Sequence, residues 1–150
     1  MTYFLDTNIL IGIIRENDRI NKFLTDLRVF EVQNKAFISI VSAAEIESIA
    51  RRNRWGDKRR IFCKQLIELL NPVSIEMDEN LIVAYADIDV YSQGKYETKS
   101  LPKGMSARNM GKNDLWIAAT AQVLNATLLT TDKDFEHLND VFLNVVTIEI

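Results

Sequence analysis

Four acidic residues stand at positions where a carboxylate could do chemistry: Asp6, Glu45, Asp114 and Asp132. Asp6 directly follows a short apolar run that is typical of a buried strand. Thr7, Asn8 and a second apolar run come after it. A strand that stops at polar residues and turns into a helix places those residues at the carboxyl edge of an open α/β sheet, where ligands bind. The sequence therefore predicts a functional site at that edge.

The other three acids reach the same edge if the strands are parallel. Glu45 lies in the helix after the second predicted strand, and Asp132 follows the fourth. Asp114 begins a helix that must start near this edge, which the prediction assumes. Gathered carboxylates repel each other and raise one another's pKa values. A divalent cation with a preference for oxygen ligands, Mg²⁺ or Mn²⁺, removes that cost. A carboxylate site of this kind suits the hydrolysis of phosphodiesters.

Each acid also has a purely structural explanation. Asp6 and Asp132 could cap the helices that follow them. Ser42 and Glu45 have the spacing of a capping box, in which the two side chains satisfy each other's backbone amides. Asp114 falls in the first helical turn, where a negative charge complements the helix dipole. The functional interpretation thus depends on all four acids together.

Alternating strands and helices predict a parallel sheet covered by helices on both faces, in one domain spanning residues 1–150. Strands are predicted at residues 3–5, 36–41, 73–75, 127–130 and 145–150. Helices are predicted to begin at Asn8, Asp18, Ser42, after Gly56, after the capping residue Asp78 and at Asn113, and a short one follows Asp132. The stretch from Ser92 to Gly111 has no such pattern. It is predicted to be a basic loop, and a loop of this length usually has a function.

Composition limits the alternatives. The net charge of −3 argues against a protein that binds nucleic acid only by placing positive charges along its phosphates. A metal-dependent nuclease is compatible with this charge, because its metal ions offset its carboxylates. His137 is the only histidine and Cys63 the only cysteine, so neither a zinc cluster nor an internal disulfide is predicted. No apolar stretch approaches the roughly 20 residues that span a bilayer, and no signal peptide is recognisable. A cytoplasmic location is therefore expected.

The sequence resembles the PIN domain family, and within it the toxin ribonucleases of the VapC type. The resemblance runs along essentially the whole chain, through four motifs in the order and spacing of the family. They are Phe4-Leu5-Asp6-Thr7-Asn8, Ser42-Ala43-Ala44-Glu45-Ile46, Asn113-Asp114-Leu115-Trp116-Ile117-Ala118-Ala119 and Leu129-Thr130-Thr131-Asp132-Lys133-Asp134-Phe135.

The resemblance implies an α/β/α fold with a five-stranded parallel sheet in the order 3-2-1-4-5. It also implies a metal-dependent endoribonuclease that leaves a 5′ phosphate and a 3′ hydroxyl, dimerises, and is inhibited by a small antitoxin. Ile9, Ile13, Ile14 and Phe23 could line the antitoxin groove, although core packing explains them equally. The implied acidic site is Asp6, Glu45, Asp114 and Asp132, supported by Thr7, Asn8 and Ser42.

In this scheme Asp6, Asp114 and Asp132 hold the metal, and Glu45 either ligates a metal or orients the attacking water as a base. The fourth acidic place could also belong to Asp134, two residues later. The family pattern puts the acid directly after the Thr pair, which favours Asp132. The candidates for contact with RNA phosphates are Arg52, Arg108 and Lys112.

Two other functions deserve comparison. A haloacid-dehalogenase-like phosphatase also has an Asp after its first strand, but it needs a second carboxylate two residues later, where this chain has Asn8. A non-catalytic scaffold with the same fold would bind partners only. The retention of all four acidic positions argues against a scaffold.

Overall fold

The computed structural model describes residues 1–74 and 78–150. Its five strands are β1 (Thr2–Leu5), β2 (Lys35–Ser39), β3 (Pro72–Val73), β4 (Thr127–Thr130) and β5 (Asn144–Thr147). They pair in parallel in the order β3-β2-β1-β4-β5, which confirms the predicted topology. β1 therefore lies at the centre of the sheet, between β2 and β4.

Six α-helices connect the strands. They are α1 (Thr7–Ile14), α2 (Asp18–Asp26), α3 (Ile40–Arg52), α4 (Asp57–Leu70), α5 (Glu79–Ser92) and α6 (Lys112–Val123), and a 3₁₀ helix (Lys133–Leu138) follows β4. None of the helices in the described part of the chain is long and apolar enough to cross a membrane.

The two faces of the sheet carry separate hydrophobic clusters, because successive side chains of a strand point to opposite faces. On one face a row formed by Phe37, Phe4, Leu128 and Val145 packs against α5, α6 and the 3₁₀ helix. On the other face the row formed by Ile38, Leu5, Leu129 and Val146 packs against α1–α4. Burial on both faces explains why these strands are apolar at nearly every position.

Close packing of α1 on α2 requires a glycine. A Cβ at Gly12 would overlap the side chain of Ile20, which is itself buried. Ile9 is fully buried in the core next to this contact, so it lines no open groove. Ile14 is also largely buried, but it lines a surface pocket together with Gly56 and Phe62. Ile13 and Phe23 are half-buried.

Several predicted boundaries were wrong. β2 ends at Ser39 rather than at residue 41, and α3 begins at Ile40 rather than at Ser42. The side chain of Ser39 accepts a hydrogen bond from the Val41 amide and caps the helix, so Ser42 and Glu45 form no capping box. β-branched residues 40 and 41 suggested a longer strand, but the cap and tertiary packing placed them in a helix.

The edge strands also differ from the prediction. The third strand was predicted at residues 73–75, whereas β3 covers Pro72–Val73, and Ile75 lies outside the described residues. β5 ends at Thr147 rather than at residue 150. The cap of α5 is confirmed, because Asp78 Oδ1 accepts a hydrogen bond from the Asn80 amide at 2.8 Å. Residues 93–111 contain no helix or strand, as predicted for the basic loop.

Candidate acidic site at the carboxyl edge of the sheet

Asp6 is the most deeply buried of the four acids, with 4% of its surface exposed. It follows β1 and occupies the position that caps α1. Its Oδ1 accepts a hydrogen bond from the Thr7 amide at 2.7 Å, and its Oδ2 accepts one from the Thr130 hydroxyl at 2.7 Å. Both donors favour an ionised carboxylate and fix its orientation.

Thr130 joins Asp6 to the turn that carries Asp132. The Thr130 hydroxyl donates to Asp6 and accepts a hydrogen bond from the Asp132 amide at 3.0 Å. Asp132 Oδ1 accepts in turn from the Asp134 amide at 2.9 Å and caps the 3₁₀ helix. Because β4 is hydrogen-bonded to β1, this buried threonine fixes both acids at the same edge.

Glu45 is also held by a hydroxyl group, and it lies on α3, the helix that follows β2. The Thr7 hydroxyl donates to Glu45 Oε1 at 2.9 Å and lies 2.9 Å from the hydroxyl oxygen of the buried Ser42. Ser42 and Glu45 are three apart on α3, so their side chains lie on one face of the helix. Thr7 and Ser42 are thus the predicted supporting residues that the structure joins to the acids.

Asp114 lies in the first turn of α6 and is half-buried. Burial raises its pKa to about 6, and the charges of Asp6, Asp132, Glu45 and Asp134 raise it further in that order. Burial likewise raises the pKa of Asp6 to about 6; the charges of Glu45 and Asp132 add to this, while the two hydrogen bonds oppose it. The pKa of Asp114 therefore responds to the charges of the other three acids, and the pKa of Asp6 responds to those of Glu45 and Asp132, as expected for carboxylates that lie near one another.

No ion pair neutralises this group. Within residues 1–74 and 78–150, none of the four acids forms a salt bridge with lysine or arginine. Carboxylate oxygens without a cationic partner are the donor set that Mg²⁺ and Mn²⁺ prefer. In the described part of the chain no three acidic, histidine or cysteine side chains stand close enough to form a complete cage. The donors still fit Mg²⁺, which keeps several waters and commonly uses one or two protein carboxylates.

The remaining predicted residues lie farther out. Asn8 is exposed and makes no hydrogen bond to the acids among the described residues, because it faces solvent in the first turn of α1. Arg52 and Lys112 are also exposed. Arg108 is half-buried, with Nη1 3.6 Å from Asp134 Oδ1. Asp134 is itself exposed, so Asp132 occupies the more buried of the two alternative acidic positions.

Sequence reasoning missed Thr130 as part of the site. It noted the residue as the end of a strand and as part of the fourth motif, without a role in the site, yet its hydroxyl contacts one acid and the backbone of another. The available signal was a hydroxyl residue at the last position of a buried strand, two residues before an acid.

Comparison with known proteins is consistent with this arrangement. A family model described as the PIN domain matches residues 3–141. Ribonuclease VapC1 of Haemophilus influenzae (strain R2866) is 28% identical over 148 residues, which cover 94% of this chain and 95% of that protein. Ribonuclease VapC2 of Rickettsia felis is 24% identical over 144 residues, with 95% and 96% covered. A solved structure of VapBC-1 from nontypeable Haemophilus influenzae has a TM-score of 0.70 at 25% identity and 98% coverage of both chains.

The raised pKa of Asp6 predicts that the metal-free fold loses stability as pH rises. The folded state holds a proton on Asp6 up to about pH 6, while an ordinary aspartate releases it at 3.8. Stability from this group is therefore complete below 3.8, declines up to about 6 and stays low above it. Asp6→Asn removes the charge and keeps one acceptor oxygen for the Thr7 amide, while its NH2 group can donate to the Thr130 hydroxyl. The substitution should raise the free energy of unfolding at pH 7.5 by about 1–3 kcal/mol.

The measurement is chemical denaturation in chelator at several pH values. The gain should disappear near pH 3.5, where wild-type Asp6 is protonated. The exposed Glu136→Gln serves as control and should change little at either pH. A destabilised Asp6→Asn at pH 7.5 would contradict the assignment of Asp6 as an uncompensated buried acid.

Thr130 offers a second test. Thr130→Val keeps the shape of the side chain but leaves the Asp132 amide without its acceptor, so the free energy of unfolding should fall by about 1–3 kcal/mol. Thr127→Val is the matched control on the same strand, because the buried Thr127 hydroxyl makes no side-chain hydrogen bond among the described residues. Equal effects of the two substitutions in urea denaturation would show that the Thr130 bridge contributes nothing.

Proposed function

Because this chain belongs to the PIN domain family, we propose that it is a metal-dependent endoribonuclease and the toxin of a toxin–antitoxin pair. The observation that carries the proposal is that four carboxylates, which have no cationic partner within residues 1–74 and 78–150, influence one another's charge at the carboxyl edge of β1 and β4. Relatives that match nearly the full chain are named ribonucleases, which supports RNA as the substrate. The intracellular location of RNA and the unpaired Cys63 fit the expected cytoplasmic location.

Asp6, Asp114 and Asp132 are the residues that would hold Mg²⁺ or Mn²⁺. When bound, the ion would polarise the scissile phosphate and acidify a coordinated water. The protein contributes orientation: Thr130 fixes Asp6 relative to Asp132, and the two donors on Asp6 leave lone pairs on both oxygens for ligation. Burial of Asp6 also keeps competing water from that side of the site.

Glu45 is the candidate base. Its Oε1 already accepts the Thr7 hydroxyl, which fixes the carboxylate while leaving Oε2 available for a water proton. A base must lie within hydrogen-bond reach of its water, and the hydrogen bond to Thr7 limits the positions that the Glu45 carboxylate can take. Thr7 is the N-terminal residue of α1, so the hydrogen bonds that orient Asp6 and Glu45 meet at one element.

The family and the exposed apolar side chains of this chain both point to protein partners. We propose an antitoxin protein and a second copy of this chain as partners. Exposed apolar side chains on α4 and α5 give such partners surfaces to cover; they include Ile61, Phe62, Leu69, Ile82 and Val83. An upstream reading frame for a small DNA-binding protein would favour the toxin role over general RNA processing.

Metal-dependent cleavage is the first expectation. Incubation with total RNA and Mg²⁺ should give discrete fragments, and chelator should stop the reaction. Asp114→Asn should abolish cleavage, and Glu45→Gln should lower kcat by about a hundredfold, as loss of a general base does. Asp132→Asn should be far more damaging than Asp134→Asn, and Glu136→Gln should remain active. Cleavage that persists in chelator and in Asp114→Asn would refute a metal-dependent site.

Contact of Arg52 with RNA phosphate is tested by salt dependence. Arg52 is exposed near the end of α3, one heptad after Glu45 and so on nearly the same face. Its neighbour Arg51 is already paired with Glu47 at 2.9 Å and is the matched control. Arg52→Ala should reduce the slope of log affinity against log salt by about 0.7, the value for one phosphate of a single strand. Arg51→Ala should leave the slope unchanged, and an unchanged slope in Arg52→Ala would remove Arg52 from the interface.

A further inference from the structure

A small cavity opens beside Asp114. Its volume is about 250 Å³, and it is lined by residues 106–111 together with Asp114 and Asp134. Pockets for drug-sized ligands hold about 300–1,000 Å³, so this cavity suits a group no larger than a phosphate or a single nucleotide fragment. Asp114 belongs to the acidic site, which makes the cavity continuous with the place where RNA would be cut.

Arg108 is the one cationic side chain among the residues that line this cavity. Only 27% of its side chain is exposed, whereas its partner Asp134 is 73% exposed. The closest approach between them, from Nη1 to Oδ1, is 3.6 Å, which is long for a salt bridge, and the guanidinium makes no hydrogen bond among the described residues. A partly exposed pair at this separation is weak. A phosphate can accept two parallel N–H bonds from arginine and would displace Asp134.

A buried polar pair lies behind Arg108. The Ser92 hydroxyl at the end of α5 is 2.6 Å from His137 Nε2 in the 3₁₀ helix, and both side chains are 1% exposed or less. The Ser92 carbonyl accepts the Arg108 amide at 2.8 Å. The Ser92 hydroxyl also lies 3.3 Å from Met110 Sδ. One residue thus ties α5, the 3₁₀ helix and the wall of the cavity together.

The chemistry of the pair is that of a neutral histidine. Burial lowers the pKa of His137 to about 4, and the charge of Arg108 lowers it further. A neutral ring has one donor and one acceptor nitrogen, and the Ser92 hydroxyl can pair with Nε2 in either role. Nδ1 is buried without a well-formed hydrogen bond, although the nearby backbone of Asp134 slightly favours a proton there. The ring stacks on Tyr91, with centroids 6.1 Å apart.

These contacts link four residues in a closed ring. Ser92 binds His137 by its side chain and Arg108 by its backbone, and Asp134, on the same 3₁₀ helix as His137, faces the Arg108 guanidinium. A buried link of this kind resists displacement, because breaking it would leave the Ser92 hydroxyl and His137 Nε2 without partners. This ring of contacts therefore fixes residues 106–111 relative to the acidic site.

We propose that this cavity binds the RNA phosphate next to the scissile one through Arg108, and that the buried Ser92–His137 pair positions Arg108 for it. The inference rests on the proposed ribonuclease function and adds a substrate-binding subsite to it. Arg108 contacts the substrate; Ser92 and His137 act through Arg108.

Steady-state kinetics on a labelled RNA that the protein cleaves tests the contact. Arg108→Ala should raise KM about tenfold with little change in kcat, as expected for a contact equally strong in ground and transition states. The salt dependence of log(kcat/KM) should weaken by about 0.7. Lys103→Ala, which removes the same charge from the same loop outside the cavity, should change neither parameter. If the wild-type protein cleaves RNA and Arg108→Ala has an unchanged KM, the subsite alone is overturned. If the wild-type protein cleaves no RNA, the proposed function is overturned together with the subsite.

A double-mutant cycle tests the positioning role. His137→Phe keeps a ring of similar shape but cannot accept from Ser92, and should raise KM about threefold to tenfold. His137→Gln, whose amide oxygen can replace Nε2, should restore most of the loss. In an Arg108→Ala background His137→Phe should add nothing to KM. If His137→Phe does not fold, Ser92→Ala takes its place in the same cycle. Additive effects on KM would show that the pair supports the fold without positioning Arg108.

Discussion

The burial of one carboxylate among others constrains the whole molecule. Asp6 stands at the end of the central strand, almost without solvent, with two hydrogen-bond donors and no cationic partner among the described residues. Such a group is costly to keep ionised. The surrounding hydroxyls of Thr7 and Thr130 direct its oxygens and those of its neighbours toward a common space. Under the proposed function, a divalent cation would offset that cost.

The sheet order determines which residues meet. With β1 between β2 and β4, the segments that leave the two neighbouring strands flank Asp6, and they carry Glu45 and Asp132. α6 leads back into β4 and begins close enough for Asp114 to respond to the charges of the other three acids. Asp6 and Asp132, more than a hundred positions apart in the sequence, thus lie at one edge because β1 and β4 pair in parallel.

Much of this was predictable because periodicity and motif order are local signals. The alternation of strands and helices predicted a parallel sheet, and the family resemblance implied its order 3-2-1-4-5; both are confirmed, as are the cap at Asp78 and the irregular basic loop. The start of α3 was wrong, since β-branched residues hid a cap at Ser39. The supporting role of Thr130 and the Ser92–His137 pair could not be predicted, because each joins segments whose proximity only the folded chain creates. Asn8 shows the converse: a polar residue inside a motif can simply face solvent.

The central claim is that these acids converge to bind a divalent cation. A crystal structure of the wild-type protein grown with Mn²⁺ tests it most directly, through the anomalous signal of the metal. The account predicts one or two peaks within coordination distance of Asp6 and of Asp114 or Asp132, and their loss in crystals of Asp6→Asn. A well-ordered site at saturating Mn²⁺ with no peak among these carboxylates, or with a lysine or arginine drawn in to neutralise them, would contradict it.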